Sequence, residues 1–146
     1  MNPRTPFGYA LFCDDIRREI GNKTSLLGLY SAAAFFEAEF PISIPKFCVV
    51  VNWIQHRDDE RRPIKVRVHL ESDGNDDQTV IEADIPIEGF DQALRQSPAD
   101  DFLQAMIHIV LTPFVVERPG KLKVRAFYGD DEYRLGSLRL LKATEK

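Results

Sequence analysis

Ile64-Lys65-Val66-Arg67-Val68-His69-Leu70 is the stretch that decides the fold class. Ile64, Val66, Val68 and Leu70 fall on one side of an extended chain, and Lys65, Arg67 and His69 fall on the other, toward solvent. That strict period of two, built from β-branched residues, specifies a half-buried strand. Toward the C-terminus, Ser72-Asp73-Gly74-Asn75-Asp76-Asp77 supplies turn chemistry. Alternation then resumes over Val80 to Ile87, with Ile81, Ala83, Ile85 and Ile87 inward and Glu82 and Asp84 outward. Toward the N-terminus, the polar segment His56 to Pro63 separates the founding strand from Phe47 to Ile54. That run, FCVVVNWI, is apolar on both sides, which predicts a central strand covered on both faces.

Further out, Phe7 to Cys13 reads as another strand. Thr24 to Phe36 reads as a longer extended run, bent or bulged near Gly28 and Ala32-Ala33-Ala34, and Pro41 and Pro45 bracket a loop. Phe90 to Phe102 breaks the pattern, and Asp91 is placed to cap a short helix through Gln96 that Ser97-Pro98 ends. Asp101 to Leu111 fits helix or strand by period, and the Ile and Val density from Met106 to Thr112 favours a strand there. Leu122, Val124, Ala126 and Tyr128 face inward on one arm of a hairpin whose other arm runs from Glu132 to Leu141. Short strands separated by turns, with one helix near residues 91–96, predict an all-β chain. The expectation is a single domain over residues 1–146, an antiparallel immunoglobulin-like β-sandwich of about eight or nine strands. Trp53 follows both cysteines, so the Cys…Trp…Cys order of a true immunoglobulin domain is absent.

Composition narrows the function classes. With 29% charged residues and a formal charge of −4, the chain is acidic overall, which weighs against binding to a phosphate backbone. Arg61-Arg62 follow directly on Asp58-Asp59-Glu60, so that run reads as a zwitterionic loop, and the linear sequence shows no basic patch. No nucleic-acid partner is expected. Apolar runs fall far short of the roughly 20 residues needed to span a bilayer, and the first of them ends in Asp14-Asp15 rather than at a cleavage site. No membrane partner is expected, and the reading is cytoplasmic. Cys13 and Cys48 each lie inside an apolar strand run, where a reduced cysteine acts as a small hydrophobe.

The richest chemistry lies between Phe12 and Tyr30, read as strand, corner, short strand, Gly21-Asn22 turn and strand. Asp14 and Asp15 offer a carboxylate pair for acid–base work or cation binding. Alternatively, one caps the corner and the other pairs with Arg17 or Arg18. His56, His69 and His108 are scattered, with no His-Glu-x-x-His or Cys-x-x-Cys spacing. No Gly-x-Ser-x-Gly elbow or glycine-rich phosphate loop is present. No metal, cofactor or catalytic residue is assigned.

Cys13-Asp14-Asp15-Ile16-Arg17-Arg18-Glu19, followed by Lys23, Leu26, Gly28 and Tyr30, resembles the opening hairpin of an uncharacterised family of small bacterial β-rich proteins. The likeness covers roughly residues 9–31 and carries no activity with it. It implies a bacterial β-domain and marks Asp15, Arg17, Glu19, Lys23 and Tyr30 as motif positions. Pairing of Asp15 with Arg17, and of Glu19 with Lys23 across the hairpin, would fix its register. Exposed, the same groups form a surface for a partner. The expected function is a non-enzymatic protein-binding or assembly module, using the hairpin face or an edge strand, with a protein partner or a second copy. The alternative is a cation-dependent or hydrolytic domain centred on Asp14 and Asp15.

Overall fold

The alternation at Ile64 nucleates the larger of two packed sheets. The computed structural model describes residues 5–72, 78–86, 88–96 and 101–144. Its elements, in chain order, are β1 (Phe7–Cys13), β2 (Asp15–Glu19), β3 (Lys23–Leu27), β4 (Ala33–Phe36), β5 (Ile42–Ile44) and β6 (Phe47–His56). There follow β7 (Ile64–Ser72), β8 (Gln78–Ile85), α1 (Glu88–Gln96), β9 (Phe102–Leu111), β10 (Phe114–Val116), β11 (Gly120–Tyr128) and β12 (Asp131–Lys142). One sheet has the order β4-β12-β11-β7-β8 and the other β1-β6-β9, while β5–β10 and β2–β3 form separate pairs. The molecule is an all-β sandwich with one short helix.

Strand number and helix start differ from the sequence expectation. Twelve strands are present among the described residues, not eight or nine. The Thr24–Phe36 run is two strands, because Gly28 takes a positive φ of 67° and turns the chain between them. Part of it completes the β2–β3 hairpin, and the rest, β4, joins the five-stranded sheet beside β12. That last pairing is parallel, the exception in an otherwise antiparallel architecture. The loop after Pro41 contributes β5, which pairs with β10 just after Pro113. The helix begins at Glu88, placing Asp91 in its first turn rather than at its cap, where both carboxylates face the positive helix end. The Asp73–Asp77 turn, Ile87 and Ser97-Pro98 lie outside the described residues.

The two sheets meet over a dry core. Phe47, Val49, Val51 and Trp53 of β6 pack toward Val66, Val68, Leu122, Val124, Ala126, Leu138 and Leu140, all fully buried. The Trp53 ring stands edge-on to Tyr133 at 5.2 Å, and its indole N–H donates to Gln55 Oε1 at 2.9 Å. A bulge in β12 opposite Val124/Arg125 buries Leu135 against β1. Gly8 is what lets the strands approach there. A Cβ at that position would fall 2.8 Å from the Asn52 carbonyl oxygen and 2.9 Å from a Leu135 methyl.

The expectation that Phe47–Ile54 is covered on both faces holds, and the second cover is the β2–β3 hairpin. Cys13, Cys48 and Val50 form a smaller buried cluster on the outer face of the three-stranded sheet, against which Leu11, Ile16 and Leu26 pack. Cys13 and Cys48 sit opposite one another in the β1–β6 register as free thiols. On the larger sheet, His69 shares a face with Lys65 and Arg67 but is 9% exposed, not solvated as its place in the pattern suggests. Lys123 lies directly opposite it on β11 and Thr79 on β8, beside a register shift at Val68/His69. The loop before β7 is held by charge pairing, as its zwitterionic sequence implies: Arg62 pairs with Glu60 at 3.0 Å and Asp131 at 3.1 Å. No helix among the described residues is long and apolar enough to cross a membrane.

Candidate functional site

A corner at Asp14 swings the hairpin over the sheet. The Asp14 N–H donates to the Leu27 carbonyl at 2.9 Å, and the Tyr30 N–H donates to the Phe12 carbonyl at 2.8 Å. These two bonds tie the hairpin's exit to its entrance. The Tyr30 hydroxyl donates to Asp14 Oδ1 at 2.7 Å, and burial followed by that carboxylate pushes its pKa up. Asp15 Oδ1 accepts from Lys46 Nζ at 2.6 Å and from the Ile16 N–H at 2.8 Å. The Lys46 ammonium first, and the backbone N–H second, hold the Asp15 carboxyl below its ordinary range. Reciprocally, Asp15 raises Lys46. The two adjacent aspartates therefore serve different partners, Tyr30 and Lys46.

Beyond the corner the register runs Arg17 opposite Ser25, Arg18 opposite Thr24 and Glu19 opposite Lys23, with Gly21 and Asn22 at φ 83° and 59° reversing the chain. The Glu19–Lys23 juxtaposition is the one expected from the sequence. The Asp15–Arg17 pair is not formed, because Lys46 reaches Asp15 from the loop before β6. The tip lies beside β9, and a groove of about 290 Å³ opens there between Arg18, Glu19, Asn22, Lys23, Thr24, Met106 and His108. Of the five motif residues, Glu19 and Lys23 meet in this groove. Asp15 and Tyr30 anchor the corner, Tyr30 stacking on Phe47 at 5.6 Å, and Arg17 lies exposed on β2 outside the groove lining.

Sequence reasoning did not select Arg18, Met106 or His108. The signal was the polar-side register of β9, where Phe102, Gln104, Met106, His108 and Val110 carry no formal charge. Its neighbours continue the pattern. Asn52 and Ile54 on β6, and Phe7, Tyr9 and Leu11 on β1, complete an outer face without a single Asp, Glu, Lys or Arg. The hairpin shields the Cys13–Cys48 end and leaves Phe7, Tyr9, Phe102, Met106 and Val110 exposed, with Met106 at 50%. Ile20 projects from the hairpin tip at 94% exposure. Among the described residues no three His, Cys, Asp or Glu side chains converge as metal ligands. What the arrangement offers is recognition chemistry: an apolar floor, the imidazole of His108 3.2 Å from Met106 Sδ, and a rim of opposite charges.

No curated protein and no solved structure matches the chain. A family model does, over residues 8–140, from β1 nearly to the end of β12. A β-sandwich carrying a corner-anchored hairpin across its smaller sheet is thus this chain's version of a shared domain: the protein belongs to DUF6941, a family of unknown function.

Proposed function

We propose that the protein is a non-enzymatic protein-binding module that docks a partner on the outer face of β1-β6-β9, beside the hairpin tip. One observation carries the reading: an uncharged sheet face with five exposed large apolar side chains, bordered by Arg18, Glu19 and Lys23. An apolar centre within a charged rim is the usual anatomy of a protein interface, and contiguous exposed apolar surface marks such sites. The edge reinforces it. β9 has a hydrogen-bonded strand on one side only, and its ten residues include no Lys, Arg, Asp, Glu or Pro. Edge strands not meant for pairing are ordinarily blunted with such residues. β9 thus suits a partner that adds a strand while its apolar side chains settle on Met106 and Phe102.

The test is affinity purification of the tagged protein from its host, followed by reconstitution with the purified partner. Wild type is compared with a Met106→Glu/Phe102→Ser variant shown to melt at the same temperature. A stoichiometric partner that reconstitutes with wild type and not with the variant supports the reading. A partner that binds both equally, or the lack of any partner, refutes it.

A further inference from the structure

The fold assembles a basic surface that the linear sequence conceals. In the register of the five-stranded sheet, the outward positions of β7, β11 and β12 include Lys65, Arg67, Lys121, Lys123, Arg125, Arg134 and Arg139. Among the described residues, the carboxylates on this face are Glu71, Glu82, Asp84 and Glu132. Seven cations against four acids is the reverse of the chain's overall charge of −4.

The register sets these cations against charges of both signs: Lys65 faces Asp84, Arg67 faces Glu82 and Lys121 faces Glu71. Arg125 sits directly opposite Arg67 on one side and Arg134 on the other, and Lys121 sits opposite Arg139. Like charges directly across a sheet are destabilising. Three of the four acids are engaged: Glu82 with Arg67 at 2.7 Å and Lys65 at 3.9 Å, Glu132 with Arg125 at 3.5 Å, and Glu71 with Lys123. Lys121, Arg134 and Arg139 have no ion pair among the described residues. Two of them, Lys121 and Arg139, line a surface groove of about 290 Å³ together with Glu71, Pro119, Gly120 and Leu141.

We propose that this face is a second binding site, for an extended acidic segment of a partner protein. Lys121, Lys123 and Arg125 follow one another at two-residue steps along β11, about 6.8 Å apart. That is also the step between alternate side chains of an extended peptide. Lys123 and Arg125 are already paired and only 20% and 12% exposed, so the segment's carboxylates are met by Lys121, Arg134 and Arg139. The groove at Lys121 and Arg139 takes one end of the segment, and the exposed Arg134 takes the other. Nucleic acid fits less well. The rest of the molecule is strongly negative, so a long polyanion that overhangs the face is repelled. The site is independent of the apolar face proposed above, and together they give the domain two opposed binding surfaces.

The probe is a fluorescent peptide of alternating Glu and Ser, titrated with the full chain and followed by anisotropy. Comparators are an alternating Lys–Ser peptide, a single-stranded oligonucleotide and inorganic phosphate. The Glu–Ser peptide is expected to bind, and to weaken as rising salt shortens the screening length. Lys121→Glu/Arg134→Glu/Arg139→Glu should weaken it by at least about tenfold, with Arg18→Glu on the hairpin leaving it unchanged. Should the triple variant fail to fold, Arg134→Gln/Arg139→Gln, at two exposed positions, provides the same comparison. Absence of peptide binding, tighter binding of the oligonucleotide, or indifference to the sheet-face substitutions overturns the proposal. Met106→Glu, which tests the other face, should not alter the titration.

Discussion

The carboxylate of Asp14 occupies the space that a side chain at Gly28 would need. A Cβ built on Gly28 lies 2.7 Å from Asp14 Cγ, and the Gly28 φ of +67° already disfavours any L side chain. The carboxylate is pinned there by the Tyr30 hydroxyl. Corner, exit turn and tyrosine therefore form one unit, in which a residue type at one position dictates the others.

Gly28→Ala is expected to destabilise the fold by about 1–3 kcal/mol, since both the backbone conformation and the contact are violated. Asp14→Ala in the same chain should recover part of that loss, because it removes the clash but not the backbone strain. Urea melts of both single variants and the double variant check this, and additive effects would contradict it.

Asp15 predicts an acid-sensitive corner. Its folded pKa is depressed below the ordinary 3.8 by Lys46 and the Ile16 N–H. The ion pair therefore stabilises the fold fully above that value, and the contribution is lost as pH falls through the folded pKa. The stability difference between wild type and Asp15→Asn should accordingly be full near neutrality and shrink as pH falls below 3.8. Denaturant melts across that range measure it. A gap that does not change with pH would refute it.

The hairpin should govern thiol reactivity. Cys13 is pushed up to about 11, chiefly by burial, and Cys48 is raised for the same leading reason, so neither presents a thiolate at neutral pH. In native protein both should react slowly with a thiol reagent such as DTNB. Ile16→Ala/Leu26→Ala, which thins the hairpin's packing over them, should speed labelling by about tenfold or more. The control is a chain unfolded in denaturant, where both cysteines react at once.

Trp53 and Gln55 make a buried polar pair toward the C-terminal end of β6. Gln55→Ala leaves the indole N–H without its acceptor and should cost about 1–3 kcal/mol. Gln104→Ala removes a hydrogen bond of similar length to Asn52 at the half-exposed outer face, where water replaces it, and should cost less. Thermal melts of the two variants decide the order.

The sequence disclosed those features whose cause is local. Ile64–Leu70 and Leu122–Tyr128 declare their inward faces by period, and Gly21-Asn22 declares the hairpin turn. Phe47–Ile54 was legible as doubly covered, but not what covers it, since the hairpin's position depends on a corner held by residues that are distant in the chain. The division of Thr24–Phe36 was hidden for a similar reason: β4 is a strand because β12 pairs with it, not because its four residues insist on it. Lys46 lay outside the charged motif, so its capture of Asp15 had no signature. Both candidate surfaces escaped notice because alternate residues of separate strands build them. Lys65, Lys121 and Arg134 look like ordinary solvated positions until three strands are laid side by side, and Met106 and His108 look like mere interruptions of an apolar run.

The parallel pairing of Ala33–Phe36 with Arg139–Lys142 joins segments more than a hundred residues apart. During synthesis, β4 emerges early and cannot make this pairing until β12 has left the ribosome. The N-terminal part cannot complete its fold piecemeal, and β1, whose β12 contact at Leu135 also comes late, shares the delay. Closure of this domain therefore waits on its own last strand and is paced by long-range pairing rather than by local hairpins.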